Sequence, residues 1–353
     1  MNKQAVVLST SLEETLREVV SQYVFDKLFI LTDTHTAALC LPRISMLPAL
    51  SGYTEISIAA GDVHKTLDTL ATVWQKLSDG GATRHSLLIN LGGGMVTDLG
   101  GFAAATFKRG MQYINIPTTL LAMVDASVGG KTGINFNGLK NEVGVFAPAN
   151  TVILYAGFLE SLDRENFFSG YAEMLKHGLI SNNEHFNELL SFDADAINYT
   201  ALGKLVAHSV RIKEEVVNQD PFERGIRKAL NLGHTVGHAF ESLALAENRA
   251  VLHGYAVAWG LVCELYLSCV KTGFPKEKLR TVVQFVKESY GLFYIECDQY
   301  EQLYTFMQHD KKNRAGVVNF TLLKDVGNIV IDQTADKQQI FEMFDFYREC
   351  MGI

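Results

Sequence analysis

The stretch LLINLGGGMVTDLGG, residues 87–101, decides the fold class. Its first residues form a short apolar run typical of a buried strand, and the glycines Gly92, Gly93 and Gly94 separate that run from a helix-like segment. Similar apolar runs are KLFILTD (27–33), QYINIPTT (112–119) and NTVILYA (150–156). The segment VHKTLDTLATVWQKLSD (63–79), which lies among them, has a helical pattern. Strands that alternate with helices predict a parallel sheet, whose ligands lie at the carboxyl ends of its strands.

The pattern changes near residue 160, where the strand signals fade. Long amphipathic segments follow at 200–217, 279–291 and 337–350. We therefore predict two domains, an α/β domain at residues 1–160 and a mostly α-helical domain at residues 161–353.

Composition excludes several functional classes. The net charge of -8 argues against binding to nucleic acid or to an anionic membrane, so any anionic substrate must be held by a few well-placed cations. The N-terminus lacks an apolar signal core, and the most apolar run, residues 256–270, contains Glu264 and predicts a core helix. Five cysteines without CxxC spacing indicate reduced thiols in the cytoplasm.

The glycine triplet has two interpretations. Exposed backbone N–H groups at a helix N-terminus favour a pyrophosphate. However, Thr97 stands where the strict dinucleotide pattern requires a third glycine, so a tight strand-to-helix turn remains an alternative. Asp98 would bond a ribose in the first case and cap the helix in the second.

A second glycine-rich stretch, DASVGGKTG (125–133), ends like a phosphate-binding loop. Asp125 occupies the place of the first glycine of that motif, and its carboxylate would repel a phosphate, which excludes a nucleotide triphosphatase. Lys131 is either a cation beside glycines that admit an anion or a solvated surface lysine.

The stretch RKALNLGHTVGHAFE (227–241) carries a polar stripe. Arg227, Asn231, His234, His238 and Glu241 follow spacings of 4, 3, 4 and 3, which predict one face of a single helix. An amide and two imidazoles in register indicate a site, whereas a solvated face would carry Lys and Glu. HTVGH lacks the glutamate of the zinc-protease motif HExxH, and its spacing leaves open whether one, both or neither histidine binds a metal.

Further candidates lie elsewhere in the second half. GYAEMLKHGLI (170–180) supplies Glu173, Lys176 and His177, and His253 begins the most apolar helix. Imidazole plus carboxylate with one open position is a standard catalytic zinc set. Lys213 either snorkels from the core edge or points into a cleft. Lys311 and Lys312 are by default a solvated pair.

These segments together resemble the 3-dehydroquinate synthase family of the sugar phosphate cyclase superfamily. The resemblance rests on the ordered occurrence of LGGGMVTDLGGFAAATFKRG, IPTTLLAMVDASVGGKTGIN, KNEVGVF, YAEMLKHGLI, LNLGHTVGHAFE, LHGYAVAWG and DKKN. It implies an NAD-binding Rossmann-like first domain, a helical second domain with a divalent metal, zinc or cobalt, and a homodimer.

The resemblance also assigns residues to sites. It implies that the metal ligands are Glu173, His234 and His253. It implies that the dinucleotide is surrounded by Asp33, Asp62, Lys65, Gly92, Gly93, Gly94, Asp98, Thr118, Thr119, Asp125, Lys131, Lys140 and Phe158. It implies phosphate contacts from Lys131, Asn141, His238 and, across the subunit interface, Arg109. The remaining substrate ligands it implies are Lys140, Lys176, Lys213, Arg227, Asn231 and one of Lys311 or Lys312.

The activity implied is the conversion of an acidic sugar phosphate, 3-deoxy-D-arabino-heptulosonate 7-phosphate, to 3-dehydroquinate and phosphate. It would proceed by transient oxidation by NAD, phosphate elimination, reduction, ring opening and aldol closure, in the shikimate pathway of aromatic amino acid biosynthesis. Three alternatives remain. They are another sugar phosphate cyclase, a metal-dependent alcohol dehydrogenase of similar architecture, and a non-catalytic nucleotide-sensing protein.

Overall fold

A computed structural model describes residues 4–309 and 317–353. The chain forms two compact units. The N-terminal unit comprises Met1–Asp163 and Ala196–Val210, and the C-terminal unit comprises Arg164–Asp195 and Arg211–Ile353. The sequence-based boundary near residue 160 did not include this return of the chain to the N-terminal unit.

The N-terminal unit is built on a parallel sheet of six strands. Their order is β1-β8-β5-β4-β2-β3, and they span β1 (Ala5–Leu8), β2 (Leu28–Asp33), β3 (Thr54–Ile58), β4 (Leu87–Gly92), β5 (Gln112–Pro117) and β8 (Thr151–Leu154). Every residue of β2 and β4 is buried, which explains their unbroken apolar runs. The four predicted strands and the α/β class are confirmed. The two edge strands, β1 and β3, were missed because they are short and partly exposed.

The strand order creates a topological switch point between β2 and β4. From β2 the chain continues to β3 on one side, whereas from β4, which pairs with the other side of β2, it continues to β5 in the opposite direction. In open α/β sheets, ligands bind outside the carboxyl ends of the strands at such a point. Asp33 is the last residue of β2 and Gly92 the last of β4, so both lie at this crevice.

Helices and one hairpin complete the N-terminal unit. The helices are α1 (Leu12–Val20), α2 (Thr34–Leu39), α3 (Leu67–Asp79) and α4 (Gly94–Thr106), with a π-helical turn at Ala122–Ala126 and 3₁₀ turns at Leu41–Arg43, Pro48–Leu50, Asp62–His64, Phe107–Arg109 and Ala156–Ser161. The antiparallel strands β6 (Lys131–Phe136) and β7 (Leu139–Phe146) form the hairpin. The sequence analysis did not foresee this hairpin.

The C-terminal unit is mostly helical, as predicted. Its helices are α5 (Arg164–Ser181), α6 (Asn183–Leu190), α7 (Tyr199–Gln219, which begins in the N-terminal unit), α8 (His234–Ala246), α9 (His253–Thr272), α10 (Lys276–Tyr290), α11 (Tyr300–Gln308) and α12 (Lys337–Met351). It also contains the hairpin β9 (Asn319–Asp325) with β10 (Asn328–Thr334) and 3₁₀ helices at Ile226–Asn231 and Cys297–Gln299.

Helix α9 forms the centre of this unit. It packs against α5, α8, α10, α12 and β9, and 13 of its 20 residues are buried. The apolar run at residues 256–270 is therefore a core helix, as predicted. No helix in the described part of the chain is long and apolar enough to cross a membrane.

The prediction of a single helix for the polar stripe is wrong. Arg227 and Asn231 lie on the 3₁₀ helix Ile226–Asn231, and a separate helix, α8, begins at His234. Gly233 breaks the path with a φ of 80°, a left-handed conformation that other residues adopt only at a cost. A Cβ at Gly233 would also lie 2.9 Å from the side chain of Leu261 on α9. The stripe therefore holds only from His234 to Glu241, because close packing of α8 on α9 interrupts the helix.

Candidate active site

Three helices of the C-terminal unit bring one carboxylate and two imidazoles together. Glu173 lies in the middle of α5 and is fully buried, while His234 and His253 are the first residues of α8 and α9. The Nε2 atoms of His234 and His253 lie 3.3 and 3.4 Å from Oε1 of Glu173. Tetrahedral zinc with ligand bonds of about 2.0–2.1 Å places its ligand atoms about 3.4 Å apart, so this spacing fits a metal ion.

The far side of each imidazole is anchored. Nδ1 of His234 donates to the backbone carbonyl of Leu232 at 3.1 Å, and Nδ1 of His253 donates to Oε2 of Glu241 at 3.2 Å. Because a carbonyl or carboxylate oxygen can only accept, each Nδ1 carries a hydrogen, and each Nε2 is then the available ligand atom. Metal-binding histidines are oriented in this way by hydrogen bonds on their second nitrogen.

A cation is the natural partner for Glu173. No donor among the described residues makes a hydrogen bond of normal geometry to either of its oxygens, although Nζ of Lys176 is in ion-pair contact with Oε2. Lone pairs of two neutral imidazoles and a buried carboxylate that face one another would be unfavourable without a positive charge. The residues present therefore fit a bound divalent metal.

The pKa shifts of Glu173 and His253 also indicate that this cluster favours a positive charge. Burial alone would raise the pKa of Glu173, but Lys176 and His234 hold that pKa well below its usual range. Burial would lower the pKa of His253, but the neighbouring carboxylates of Glu173 and Glu241 raise it to about 10. Both shifts favour positive charge on the cluster, and a metal ion, which needs neutral imidazoles as ligands, must compete with protons for it.

His238 lies beside the cluster. It follows His234 by one turn of α8, and its ring centroid is 5.5 Å from that of His234 and 6.0 Å from that of His253. By distance, His238 could join Glu241 and His253 around a metal. Glu241 already accepts from Nδ1 of His253, however, so we favour the group of Glu173, His234 and His253 as the metal ligands.

Among the described residues of this unit, three lysine and arginine side chains are buried. Lys176, Lys213 and Arg227 have relative exposures of 1%, 6% and 3%. The ammonium group of Lys176 contacts Glu173, and Nη1 of Arg227 donates to the carbonyl of Pro221 at 2.7 Å. Buried cations are costly unless they meet an anion or a set of acceptors, so their concentration here suits an acidic ligand.

Two acidic residues that the sequence analysis missed organise the segment before α8. The carboxylate of Asp220 accepts from the backbone N–H groups of Arg224, Gly225 and Arg227 at 3.0, 2.6 and 3.1 Å. Glu223 accepts from Nδ2 of Asn231 at 2.8 Å. Only the turn signal Asp-Pro at residues 220–221 hinted at this arrangement.

In the N-terminal unit, a buried lysine links two predicted ligands. Nζ of Lys65, which is 3% exposed, donates to Oδ2 of Asp98 at 2.5 Å and to Oδ1 of Asn141 at 2.5 Å. Asn135, which the sequence analysis did not single out, accepts from the backbone of Asn141 at 2.9 Å and donates to the carbonyl of Asp62 at 3.2 Å. The structure thus brings together Asp62, Lys65, Asp98 and Asn141.

The glycine turn lies at the crevice of the sheet. Gly92 ends β4, Gly93 precedes α4, and Gly94 begins it, so the first backbone N–H groups of α4 face the carboxyl edge. A Cβ at Gly92 would lie 2.5 Å from Val96, which shows how tight the turn is. No side chain caps α4 at Gly93. Asp98 bonds Lys65, so its predicted alternative role as the cap of this helix is not observed.

The remaining predicted cofactor residues occupy several environments. Oδ1 of Asp33 accepts from the backbone N–H groups of His35 and Thr36 and so caps α2. Thr118 is buried at the end of β5, and Oγ1 of Thr119 accepts from the backbone of Ala122. Asp125 lies in the π-helical turn Ala122–Ala126, and Phe158 is 1% exposed with its ring nearly perpendicular to that of Tyr155.

Three of the predicted cationic ligands, Lys131, Lys140 and Arg109, have exposed side chains. Lys131 begins β6 and Lys140 lies near the start of β7, both with exposed side chains. Arg109 is exposed in a turn in which Lys108, Arg109 and Gly110 have φ values of 48°, 67° and 115°. Lys311 and Lys312 lie outside the described residues.

Comparison with known proteins gives consistent matches along the chain. The N-terminal domain of 3-dehydroquinate synthase matches residues 55–169, and the C-terminal domain of 3-dehydroquinate synthase matches residues 170–313. A 3-dehydroquinate synthase of Parabacteroides distasonis is 54% identical over 353 residues, which is 100% of this chain and 100% of that protein.

Two solved structures share the fold. The 2-epi-5-epi-valiolone synthase of Streptomyces hygroscopicus, solved with NAD+ and Zn2+, has a TM-score of 0.86 at 24% identity, over 98% of this chain and 97% of that one. A 2-deoxy-scyllo-inosose synthase complexed with carbaglucose-6-phosphate, NAD+ and Co2+ has a TM-score of 0.80 at 22% identity, over 98% and 96%. These identities show the fold alone, whereas the two domain matches and the full-length relative show that the chain belongs to the 3-dehydroquinate synthase family.

Proposed function

We propose that this chain is a 3-dehydroquinate synthase, which converts 3-deoxy-D-arabino-heptulosonate 7-phosphate to 3-dehydroquinate and phosphate in the shikimate pathway. The observation that carries the proposal is that the side chains of Glu173, His234 and His253 lie at distances that fit a metal ion. They do so in a chain that is 54% identical over its full length to such an enzyme. The same pathway supplies chorismate and the aromatic amino acids.

Glu173, His234 and His253 would hold a divalent metal, zinc or cobalt. When bound, the metal would act as a Lewis acid that lowers the pKa of the substrate hydroxyl that is oxidised. The neighbouring buried ammonium of Lys176 adds positive charge at the same place, where an oxygen that loses its proton needs it. The anchored Nδ1 atoms keep both imidazoles oriented toward that position.

The N-terminal unit would hold the NAD, which supplies a transient hydride acceptor. The backbone N–H groups at the start of α4, exposed by the turn of Gly92, Gly93 and Gly94, suit its pyrophosphate. Asp33 ends β2, and Thr118 and Thr119 follow β5 at the same sheet edge. The other proposed contacts around the dinucleotide are Asp62, Lys65, Asp98, Asp125, Lys131, Lys140 and Phe158.

Residues of the C-terminal unit would bind the acidic end of the substrate. The planar fork of Arg227 matches a carboxylate, and its segment is held in shape by Asp220. Lys213 and Asn231 would bind neighbouring oxygens, and Asn231 is oriented for this by Glu223. We also assign a substrate contact to Lys140 and to one of Lys311 or Lys312, which lie outside the described residues.

Phosphate contacts are assigned to Lys131 and Asn141 in the N-terminal unit and to His238 in the C-terminal unit. Asn141 has a φ of 51° and accepts from Lys65, so its amide is held in a defined orientation. His238 adjoins both metal-site imidazoles, which suits a group that binds the leaving phosphate beside the reacting carbon. The phosphate itself would take the proton in the elimination, and the enzyme would mainly position it.

A homodimer would supply one further cation. We assign Arg109 to the phosphate site of the neighbouring subunit. Two consecutive non-glycine residues with positive φ, Lys108 and Arg109, are unfavourable by about 1–2 kcal/mol each and suggest that the turn is shaped for presentation of Arg109.

Because NAD is regenerated in each turnover, the net reaction is that of a carbon–oxygen lyase acting on a phosphate. All five cysteines are free, which suits a reducing compartment, and we place the enzyme in the cytoplasm.

One assay tests the proposal. Metal-loaded protein supplied with the heptulosonate phosphate and catalytic NAD should release phosphate and form 3-dehydroquinate in equal amounts. A heptulose 7-phosphate without the carboxylate is the matched substrate, and it should be poorer by about 10²-fold or more in kcat/KM, because it would leave buried polar groups unpaired. Equal turnover of both substrates would favour another cyclase, and net NADH would favour an alcohol dehydrogenase.

A further inference from the structure

A buried carboxylate without a role in the proposed mechanism lies in the middle of α9. Glu264 is fully buried, and its two oxygens accept from two backbone N–H groups of the segment that begins α8. Oε2 accepts from Gly233 at 2.7 Å and Oε1 accepts from Val236 at 3.1 Å. These partners are 31 and 28 residues away in sequence, so the contact is tertiary.

The two amides are those that a capping box normally satisfies. In a capping box, the N-cap side chain accepts from the N3 backbone and an acidic N3 side chain accepts from the N-cap backbone. In α8 the N-cap is Gly233, which has no side chain, and N3 is Val236, which is buried. Neither residue can make its half of the box, and Glu264 makes both halves from the neighbouring helix.

The close crossing of α8 and α9 explains why a helix cannot cap itself here. A Cβ at Gly260 would lie 2.0 Å from the carbonyl oxygen of Gly233, so the two backbones are in direct contact. Glu264 lies one turn beyond Gly260 on the same face of α9, and long helical side chains lean back toward the N-terminus of their own helix. That direction brings its carboxylate to the start of α8.

The helix that begins with the second histidine of the cluster is also capped by a side chain of another helix. Helix α9 begins at His253 after Leu252, which makes no side-chain cap. Oγ of Ser169 on α5 accepts from the N–H of Gly254 at 3.1 Å, and a Cβ at Gly254 would lie 1.8 Å from the carbonyl oxygen of Ser169. Each imidazole thus lies on the first residue of a helix that a neighbouring helix of the cluster caps.

We propose that Glu264 is a positioning residue of the metal site, which acts as a capping box in trans for α8 and so sets His234 relative to Glu173. His234 is the first residue of α8 and lies between the two bonded amides. Its ring is further tied to Leu232 through Nδ1. This inference rests on the proposed metal site and adds a residue that touches neither metal nor substrate.

The test compares Glu264→Gln with Ser268→Ala. Gln keeps the shape of the side chain but turns an NH2 group toward one of the backbone N–H groups. Ser268 is the matched control because it is also fully buried, lies one turn farther along α9, and accepts from the backbone of Leu323 at 3.1 Å. Ser268→Ala also loses the hydrogen bond that Oγ donates to the backbone carbonyl of Glu264 at 2.8 Å. Both variants therefore lose buried hydrogen bonds of α9, but only the first changes the side chain that accepts from the start of α8.

Zinc affinity, measured by competition with a chromogenic chelator, should fall about 10–100-fold in Glu264→Gln. In Ser268→Ala it should stay within about twofold of the wild type at a comparable loss of Tm. Equal zinc affinity in the two variants would overturn the positioning role of Glu264. The proposed function would still stand in that case if the wild-type chain converted the heptulosonate phosphate. A wild-type chain that bound no divalent metal would contradict both.

Hydrogen exchange of the wild-type chain gives a test that does not depend on how Glu264→Gln folds. The amides of Gly233 and Val236 should already be protected in the metal-free chain, because Glu264 bonds them without any metal. Exchange of these two amides at the rate of exposed amides until zinc is added would overturn the proposal.

Discussion

Nδ1 of His253 lies 3.2 Å from Oε2 of Glu241, and Nε2 of the same ring lies 3.4 Å from Oε1 of Glu173. One imidazole therefore lies between two carboxylates, that of Glu241 and that of the proposed metal ligand Glu173. This arrangement fixes the tautomer that leaves Nε2 available for a metal.

Replacement of Glu241 should weaken metal binding in a graded way. Glu241→Gln keeps an acceptor for Nδ1 of His253 but removes the charge, whereas Glu241→Ala removes both. We expect zinc affinity to fall by about 10-fold in the first variant and more in the second, measured by chelator competition. Glu247→Gln is the control, because Glu247 pairs with Arg249 on the surface at the end of α8. Unchanged affinity in Glu241→Ala would contradict the role of Glu241.

The two histidines of HTVGH should behave differently. His234→Ala should lose both metal and activity, and His238→Ala should keep one metal per chain while phosphate release slows by about 10²-fold or more. Metal content by elemental analysis and phosphate release from the same samples would separate the two. Metal loss in His238→Ala would instead support the alternative group of His238, Glu241 and His253.

Arg227→Lys should affect substrate binding and leave the metal in place. The lysine retains the charge but cannot form two parallel hydrogen bonds with a carboxylate. We expect KM for the heptulosonate phosphate to rise about 10-fold with unchanged zinc content. Lys228→Arg is the control, since Lys228 pairs with Asp332 at 2.7 Å and is only partly buried. A KM equal to that of the wild type would exclude Arg227 as the carboxylate ligand.

The segment that presents Arg227 should open only in acid. Hydrogen bonds from the backbone of Arg224, and then of Gly225 and Arg227, outweigh burial and lower the pKa of Asp220 below 3.8. A lowered carboxyl pKa contributes stability that is present above the ordinary value and is lost as the pH falls through the lowered one. Hydrogen exchange of residues 224–227, corrected for intrinsic rates, should therefore stay protected from pH 8 to about pH 4 and lose protection below it. Loss of protection near neutral pH would contradict this assignment.

Two glycines with the same backbone conformation allow a matched stability test. Gly233 and Gly273 have φ values of 80° and 81°, but a Cβ at Gly233 would lie 2.9 Å from Leu261 while a Cβ at Gly273 would meet nothing within 4 Å. Gly273→Ala should lower the free energy of unfolding by about 1–2 kcal/mol for the left-handed conformation. Gly233→Ala should lower it by about 1–3 kcal/mol more because it also overpacks the crossing. Equal values from denaturant unfolding would show that the α8–α9 contact has room to relax.

The sequence by itself determined the parts of the protein that rest on local patterns and on motif order. The apolar runs of β2, β4, β5 and β8 predicted a parallel sheet, because strands buried on both faces are apolar along their whole length. The amphipathic patterns predicted α7, α10 and α12, whose periodicity is a local property. The ordered motifs indicated the family, which the comparisons confirmed.

Only the tertiary structure decided how the polar stripe is divided and what Glu264 does. The spacing from Arg227 to Glu241 is compatible with one helix, and the break at Gly233 arises because α8 must pack backbone to backbone on α9. From the sequence, Glu264 indicated only that residues 256–270 do not form a membrane span. Its partners, Gly233 and Val236, are about thirty residues away, and no local pattern contains such a contact. Local periodicity reports which face of an element is apolar, whereas the partner of each polar group depends on which elements the completed core brings together.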